Sequence, residues 1–155
     1  MKKIIKALVI GSFVLYLLAL FSLLFMRSGG YWQNLSWADY VRLNSNFVPF
    51  RTISQYVHLL LTGSINANIP LTNLWGNLLM MAPMGLYLPY FFKRARRPAV
   101  FFCVMLCLVL SAELAQTCLR VGSLDIDDVI LNLAGALMGY GLGRLRWVRR
   151  FVYVE

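Results

Sequence analysis

Acidic residues are scarce in this chain, with six Asp and Glu against 15 Lys and Arg in 155 residues. Charged residues make up only 14% and hydrophobic ones 60%, too little polarity to cover the surface of a soluble domain of this length. His58 is the single histidine, and no Ser–His or Cys–His arrangement is evident, which disfavours hydrolysis by a nucleophilic triad. The three cysteines, Cys103, Cys107 and Cys118, cannot pair fully and lack zinc-site spacing, so they read as small packing residues. There is no internal repeat and no low-complexity tract. The absent inverted repeat argues against a small transporter.

What is present is four long apolar runs, at about 6–26, 71–92, 98–118 and 127–146. Each holds about 20 residues and as a helix reaches about 30 Å, the thickness of bilayer hydrocarbon. The expected fold is therefore all-α: a polytopic membrane bundle of four transmembrane helices forming one domain over residues 1–155. Lys2, Lys3 and Lys6 precede the first run, Lys93, Arg94, Arg96 and Arg97 fill the link between the second and third, and Arg144, Arg146, Arg149 and Arg150 close the fourth. Eleven of 15 basic residues thus fall on one side, and the positive-inside rule places both termini in the cytoplasm of a cell-membrane protein. This placement, with no basic surface domain interleaved with aromatics, excludes nucleic acid as the reason for the basic balance. The apolar stretch from Ala7 to Met26 is longer than a signal-peptide core and no A-x-A-like site follows, so it reads as an uncleaved anchor.

The outer loop, 27–70, begins with Tyr31, Trp32, Trp37 and Tyr40, amphipathic aromatics suited to the headgroup level. Pro49 biases Val48 away from helix. From Arg51 to Leu61, Ile53, Val57, Leu60 and Leu61 share an apolar face, with Arg51, Gln55, His58 and Thr62 off it. That pattern predicts a short helix lying in the interface. Arg42 and Arg51 are suited to lipid headgroups, and His58 is a candidate proton carrier over any site below. Thr62 to Pro70 is rich in turn formers. In the second run, Pro83 predicts a kink by freeing the carbonyl of Leu79. In the fourth, Gly135, Gly139 and Gly143 form a small-residue ridge for close helix approach, either within one bundle or between copies in a homo-oligomer.

The polar residues are not scattered. With this topology, Asn73 and Asn77 lie in the outer turns of the second run, Glu113 and Gln116 in those of the third, and Arg120, Asp125, Asp127 and Asp128 follow in the connecting loop. Asn132 comes one turn into the fourth. An intramembrane carboxylate or amide is costly without a partner, so these nine residues predict one partly hydrated recess opening outward. Glu113 is the candidate acid or base. Ser123 or Asp125 fits a helix cap, and Asp128 three positions after Asp125 fits the capping box. Three clustered carboxylates repel one another, however, and a divalent cation on Asp125, Asp127 and Asp128, or a cationic substrate group, would relieve them.

Three blocks carry a resemblance: N-F-V-P-F-R-T-I at Asn46 to Ile53, N-L-W-G-N-L-L-M-M-A-P-M-G at Asn73 to Gly85, and E-L-A-Q followed by S-L-D-I-D-D-V-I-L-N-L-A-G between Glu113 and Gly135. With them the chain resembles the VanZ-like family of small bacterial membrane proteins. The resemblance implies a four-helix integral membrane protein, and a link to resistance against teicoplanin-type glycopeptides in the founding member. The positions that match the family's polar motif are Asn73, Asn77, Glu113, Gln116, Asp125, Asp127, Asp128 and Asn132. Members often have an arginine close before the acidic run; here Gly122 stands there and Arg120 sits slightly earlier.

Two functional expectations follow. In the first, the chain is a cell-envelope protein that binds a membrane lipid headgroup or a lipid-linked wall precursor in the recess. In the second, it is a membrane-embedded hydrolase or group transferase acting on an envelope lipid, with Glu113 as acid or base.

Overall fold

The computed structural model describes residues 2–26, 34–146 and 148. Expectations for Arg27, Tyr31, Trp32, Arg149 and Arg150 lie outside the described residues. The chain is helical almost throughout. Helix α1 spans Lys2–Phe25, α2 Trp37–Leu43, α3 Arg51–Thr62, α4 Asn68–Met80, α5 Met84–Phe91, α6 Pro98–Cys118 and α7 Ile126–Gly143, with a 3₁₀ turn at Lys93–Arg96 between α5 and α6. Two short strands, β1 (Ser45–Asn46) and β2 (Leu124–Asp125), pair in parallel, Ser45 against Leu124 and Asn46 against Asp125. Neither strand nor α2 has a periodic signal long enough to show in the sequence.

Residues 3–25 of α1 and 98–118 of α6 are each long and apolar enough to cross a membrane. Helix α1 also exposes Leu8, Leu15, Leu18, Phe21 and Leu23, each more than half accessible. A helix apolar all round needs an apolar surrounding.

The second apolar run is one span in sequence and two helices in structure. Pro83 has no N–H, and the helix breaks between Met80 and Met84. Two carbonyls would be orphaned there. The Ala82 N–H takes that of Leu79 at 3.2 Å, and the Tyr16 hydroxyl of α1 donates to that of Met80 at 2.9 Å. The break is thus satisfied from inside the protein rather than left open. At the other end α4 starts at Asn68, earlier than expected. Pro70 falls in its first turn, where backbone N–H groups lack helical partners anyway.

Helix α7 is the hub and packs on α4, α5 and α6. Its glycines set how closely. A Cβ on Gly135 would lie 1.7 Å from the Leu78 carbonyl oxygen, and one on Gly139 would lie 1.9 Å from that of Ala82. At Gly135 and Gly139 the ridge is therefore filled by α4 and by the break after it.

Along α6, every fourth residue is buried: Phe101, Met105, Val109, Glu113 and Thr117. This stripe meets α7, with Phe101 stacked on Tyr140 at 4.3 Å between ring centroids. Its chemistry changes part-way. From Phe101 to Val109 it is apolar, and from Glu113 onward it is polar. The change falls at the end of the bundle that carries α3 and the strand pair.

Candidate functional site

Four of the nine expected recess residues meet at that polar end. Asn77 on α4 donates its amide to the Asp128 carboxylate on α7. Asn132, one turn further along α7, donates to the Asp128 backbone carbonyl at 2.9 Å. Glu113 on α6 is 4% exposed, lies within electrostatic reach of Asp128 and Asp125, and accepts from the Asp125 backbone N–H. Asn73 lies one turn before Asn77 on the same face of α4.

The set is conspicuous for what it leaves unpaired. Glu113 Oε2, Asn132 Oδ1 and Asn73 Oδ1 are all buried without a hydrogen-bond partner. An unmet buried acceptor costs about 1–3 kcal/mol. All three are acceptors, and they come from three different helices.

The aspartates at 125 and 127 have other work. Asp125 caps α7 by accepting from the Asp127 N–H at 2.8 Å. It also accepts from the Asn46 amide at 2.9 Å and the Thr52 hydroxyl at 2.6 Å. Asp127 is wholly buried and reaches across to the start of α3. One oxygen accepts from the Phe50 N–H at 2.5 Å and the other from the Ile53 N–H at 3.0 Å. Phe50 precedes α3 in a left-handed conformation, φ 65°, and has no side-chain cap of its own. A carboxylate supplied from α7 therefore satisfies two orphan donors at the positive end of α3. Asn46 and Thr52 are the residues that sequence reasoning gave no role. Their partners lie more than 70 positions away, which no local spacing can signal.

The three aspartates, expected as candidate cation ligands, all have protein partners. Each turns to its own donors, and among the described residues no group of three or more His, Cys, Asp or Glu is placed to hold an ion. Gln116 and Arg120 also point elsewhere. Gln116 donates to the Leu24 carbonyl near the end of α1 at 2.9 Å. Arg120, itself left-handed at φ 54°, donates to the Leu35 carbonyl at 2.9 Å and lies over the Trp37 and Tyr40 rings at 5.6 and 5.5 Å. The Tyr40 hydroxyl in turn holds the Gly122 carbonyl. These contacts bind α1 to the last turns of α6, and α2 to the loop before α7. His58, Arg51 and Gln55 are exposed on α3.

Chemically, the end of the seam offers carboxylate and amide oxygens. Comparison with curated proteins and with solved structures finds no match. The VanZ/LLP1 family model matches residues 13–147, taking in every helix described above from midway through α1 onward. That match, running through the α4 amides, the α6 glutamate and the α7 acids alike, makes the chain a member of the VanZ/LLP1 family.

Proposed function

We propose that the protein is a multi-pass cell-membrane protein that binds a polar headgroup, of a lipid or a lipid-linked wall component, in a recess opening to the outside. Its four spans would be α1, α4 with α5, α6 and α7, with both termini cytoplasmic. The clustering of eleven basic residues at one side supports that orientation. The bare apolar exterior of α1 and the two long apolar helices support the membrane location. Helix α3 suits the outer interface, because Val57 and Leu61 are 42% and 82% exposed on its apolar face.

The observation that carries the binding role is the set of unmet oxygens on Glu113, Asn132 and Asn73. Groups needed only for packing would be paired or apolar, since each unpaired acceptor weakens the bundle. A membrane site also fits the link to acyl-bearing, teicoplanin-type glycopeptides in the family's founding member. The test is to purify the full chain with native lipids and compare it with Glu113→Ala. Loss of an enriched lipid class at unchanged membrane levels supports the reading. Loss of the protein itself assigns Glu113 a structural role.

A second reading draws on the nearness of Glu113 to Asp128. Two neighbouring carboxyls can share a proton, as an acid–base pair requires. In that case the protein is a hydrolase or group transferase on an envelope lipid. Turnover of such a lipid by purified protein, lost in Glu113→Gln, supports this reading, and binding without turnover counts against it.

A further inference from the structure

We propose a second binding site, at the opposite end of the bundle from Glu113, where Arg97, Arg144 and their basic neighbours take the phosphate of an anionic phospholipid. The inference goes beyond the recess and shares with it only the membrane location. Three parts of the chain meet here: the 3₁₀ turn after α5, the start of α6 and the end of α7. Tyr140 ties them together. Its hydroxyl donates to the Arg96 carbonyl at 2.6 Å, its ring stacks on Phe101 of α6, and the Arg144 guanidinium lies over the same ring at 5.4 Å. The Arg96 side chain folds back, its Nε donating to the Pro89 carbonyl of α5 at 3.2 Å. One tyrosine thus brings the basic turn and the basic end of α7 to one place. Lys93, Arg94, Arg97, Arg144 and Arg146 are all exposed there.

The positive-inside rule explains why cations gather at this end, but it counts Lys and Arg alike. Of the six basic residues in 93–97 and 144–146, five are arginine. Arginine presents a fork of donors that matches phosphate oxygens in pairs, and a guanidinium held over a ring still has N–H donors to give. The five acidic residues among those described, Asp39, Glu113, Asp125, Asp127 and Asp128, lie on α2, in the last turns of α6 and at the start of α7. None of them is beside these cations. Phe92, Leu142 and Leu145 adjoin the basic residues in the chain and are 60%, 54% and 43% exposed. A soluble anion would leave those apolar side chains bare, whereas a phospholipid offers phosphate to the arginines and acyl chains to its apolar neighbours. In the orientation proposed above, the site faces the cytoplasmic leaflet, the one that carries anionic lipid.

The test offers the full chain in detergent an equimolar mixture of phosphatidylglycerol, phosphatidylethanolamine and phosphatidylcholine, with bound lipid read by native mass spectrometry. The expected result is a phosphatidylglycerol excess over each of the others of about tenfold, the size of one charge-assisted hydrogen bond. Arg97→Gln combined with Arg144→Gln should abolish the excess. Both side chains are exposed, and the Tyr140 bond to Arg96 and stack on Phe101 do not depend on them. If that variant unfolds below the wild-type temperature, Arg94→Gln with Arg146→Gln replaces it and should lower the excess. Glu113→Ala should leave it unchanged.

Lys3→Gln with Lys6→Gln removes the same charge from α1 and should keep the excess. An equal loss in that variant would mark a diffuse field of positive charge and overturn the site. Phosphatidylcholine retained as well as phosphatidylglycerol would overturn it too, as would an excess that the arginine variants do not lower. An excess lost in Glu113→Ala but kept without the arginines would assign the lipid to the recess, overturning this proposal and supporting that reading. Displacement of phosphatidylglycerol by equimolar inorganic phosphate would assign the arginines to free anions and overturn the lipid.

Discussion

Asn77 and Asp128, 51 positions apart, join α4 to α7 by an amide–carboxylate hydrogen bond at the point where the helix seam changes from apolar to polar. Below it toward Phe101 and Tyr140 the helices pack through side chains and glycine contacts. Above it lie the latch that holds α3 and the unmet oxygens of Glu113, Asn132 and Asn73. The acidic motif thus has two separable duties, and they predict opposite mutant phenotypes.

Asp127 belongs to the latch. Asp127→Ala strips the carboxylate from the Phe50 and Ile53 N–H groups in a buried setting, at an expected cost of about 3 kcal/mol. Thermal unfolding of the purified protein should show a lowered midpoint. Cleavage of the 47–50 turn by added protease should also become faster. Asp127→Asn keeps one acceptor and should fall between wild type and Ala.

Glu113 belongs to the recess. Glu113→Gln leaves the α6–α7 seam filled and replaces an acid that has an unmet oxygen, so the unfolding midpoint should stay at or above that of wild type. A fall as large as that of Asp127→Ala would make Glu113 a structural residue.

The glycines of α7 are not equivalent. Gly135→Ala and Gly139→Ala place a methyl within 2 Å of backbone oxygen on the facing segment, which cannot swing away as a side chain could. Each should destabilise by about 2 kcal/mol or more through forced helix separation. Gly141→Ala meets open space and should gain about 0.5–1 kcal/mol of helix propensity. Comparing unfolding midpoints of the three variants checks this, and equal effects would contradict the packing described.

Much of this was legible in advance. The α6 limits match the expected 98–118, and the Pro83 break and the amphipathic α3 fall where composition and spacing place them. These features are local: a proline, a period of 3.6 residues, an apolar run bounded by arginines. The strand pair, the cap of α3 by Asp127, and the diversion of Gln116 to Leu24 and of Arg120 to the α2 aromatics were not legible. Each joins residues far apart in the chain, and a polar residue's choice among several partners at one depth leaves no periodic trace. The nine polar residues expected in one recess divide between two kinds of role. Six have defined duties in the latch, the α1 contact, the α2 contact or the α4–α7 bond, and the open oxygens fall on Glu113, Asn132 and Asn73.

The claim that matters most is that this recess faces the outside of the cell. It is tested by placing Asn73→Cys in a chain with Cys103, Cys107 and Cys118 replaced by Ala, then adding membrane-impermeant methanethiosulfonates to intact cells. The account predicts labelling from outside. Labelling only after the cytoplasmic face is opened, or at neither face, would contradict it.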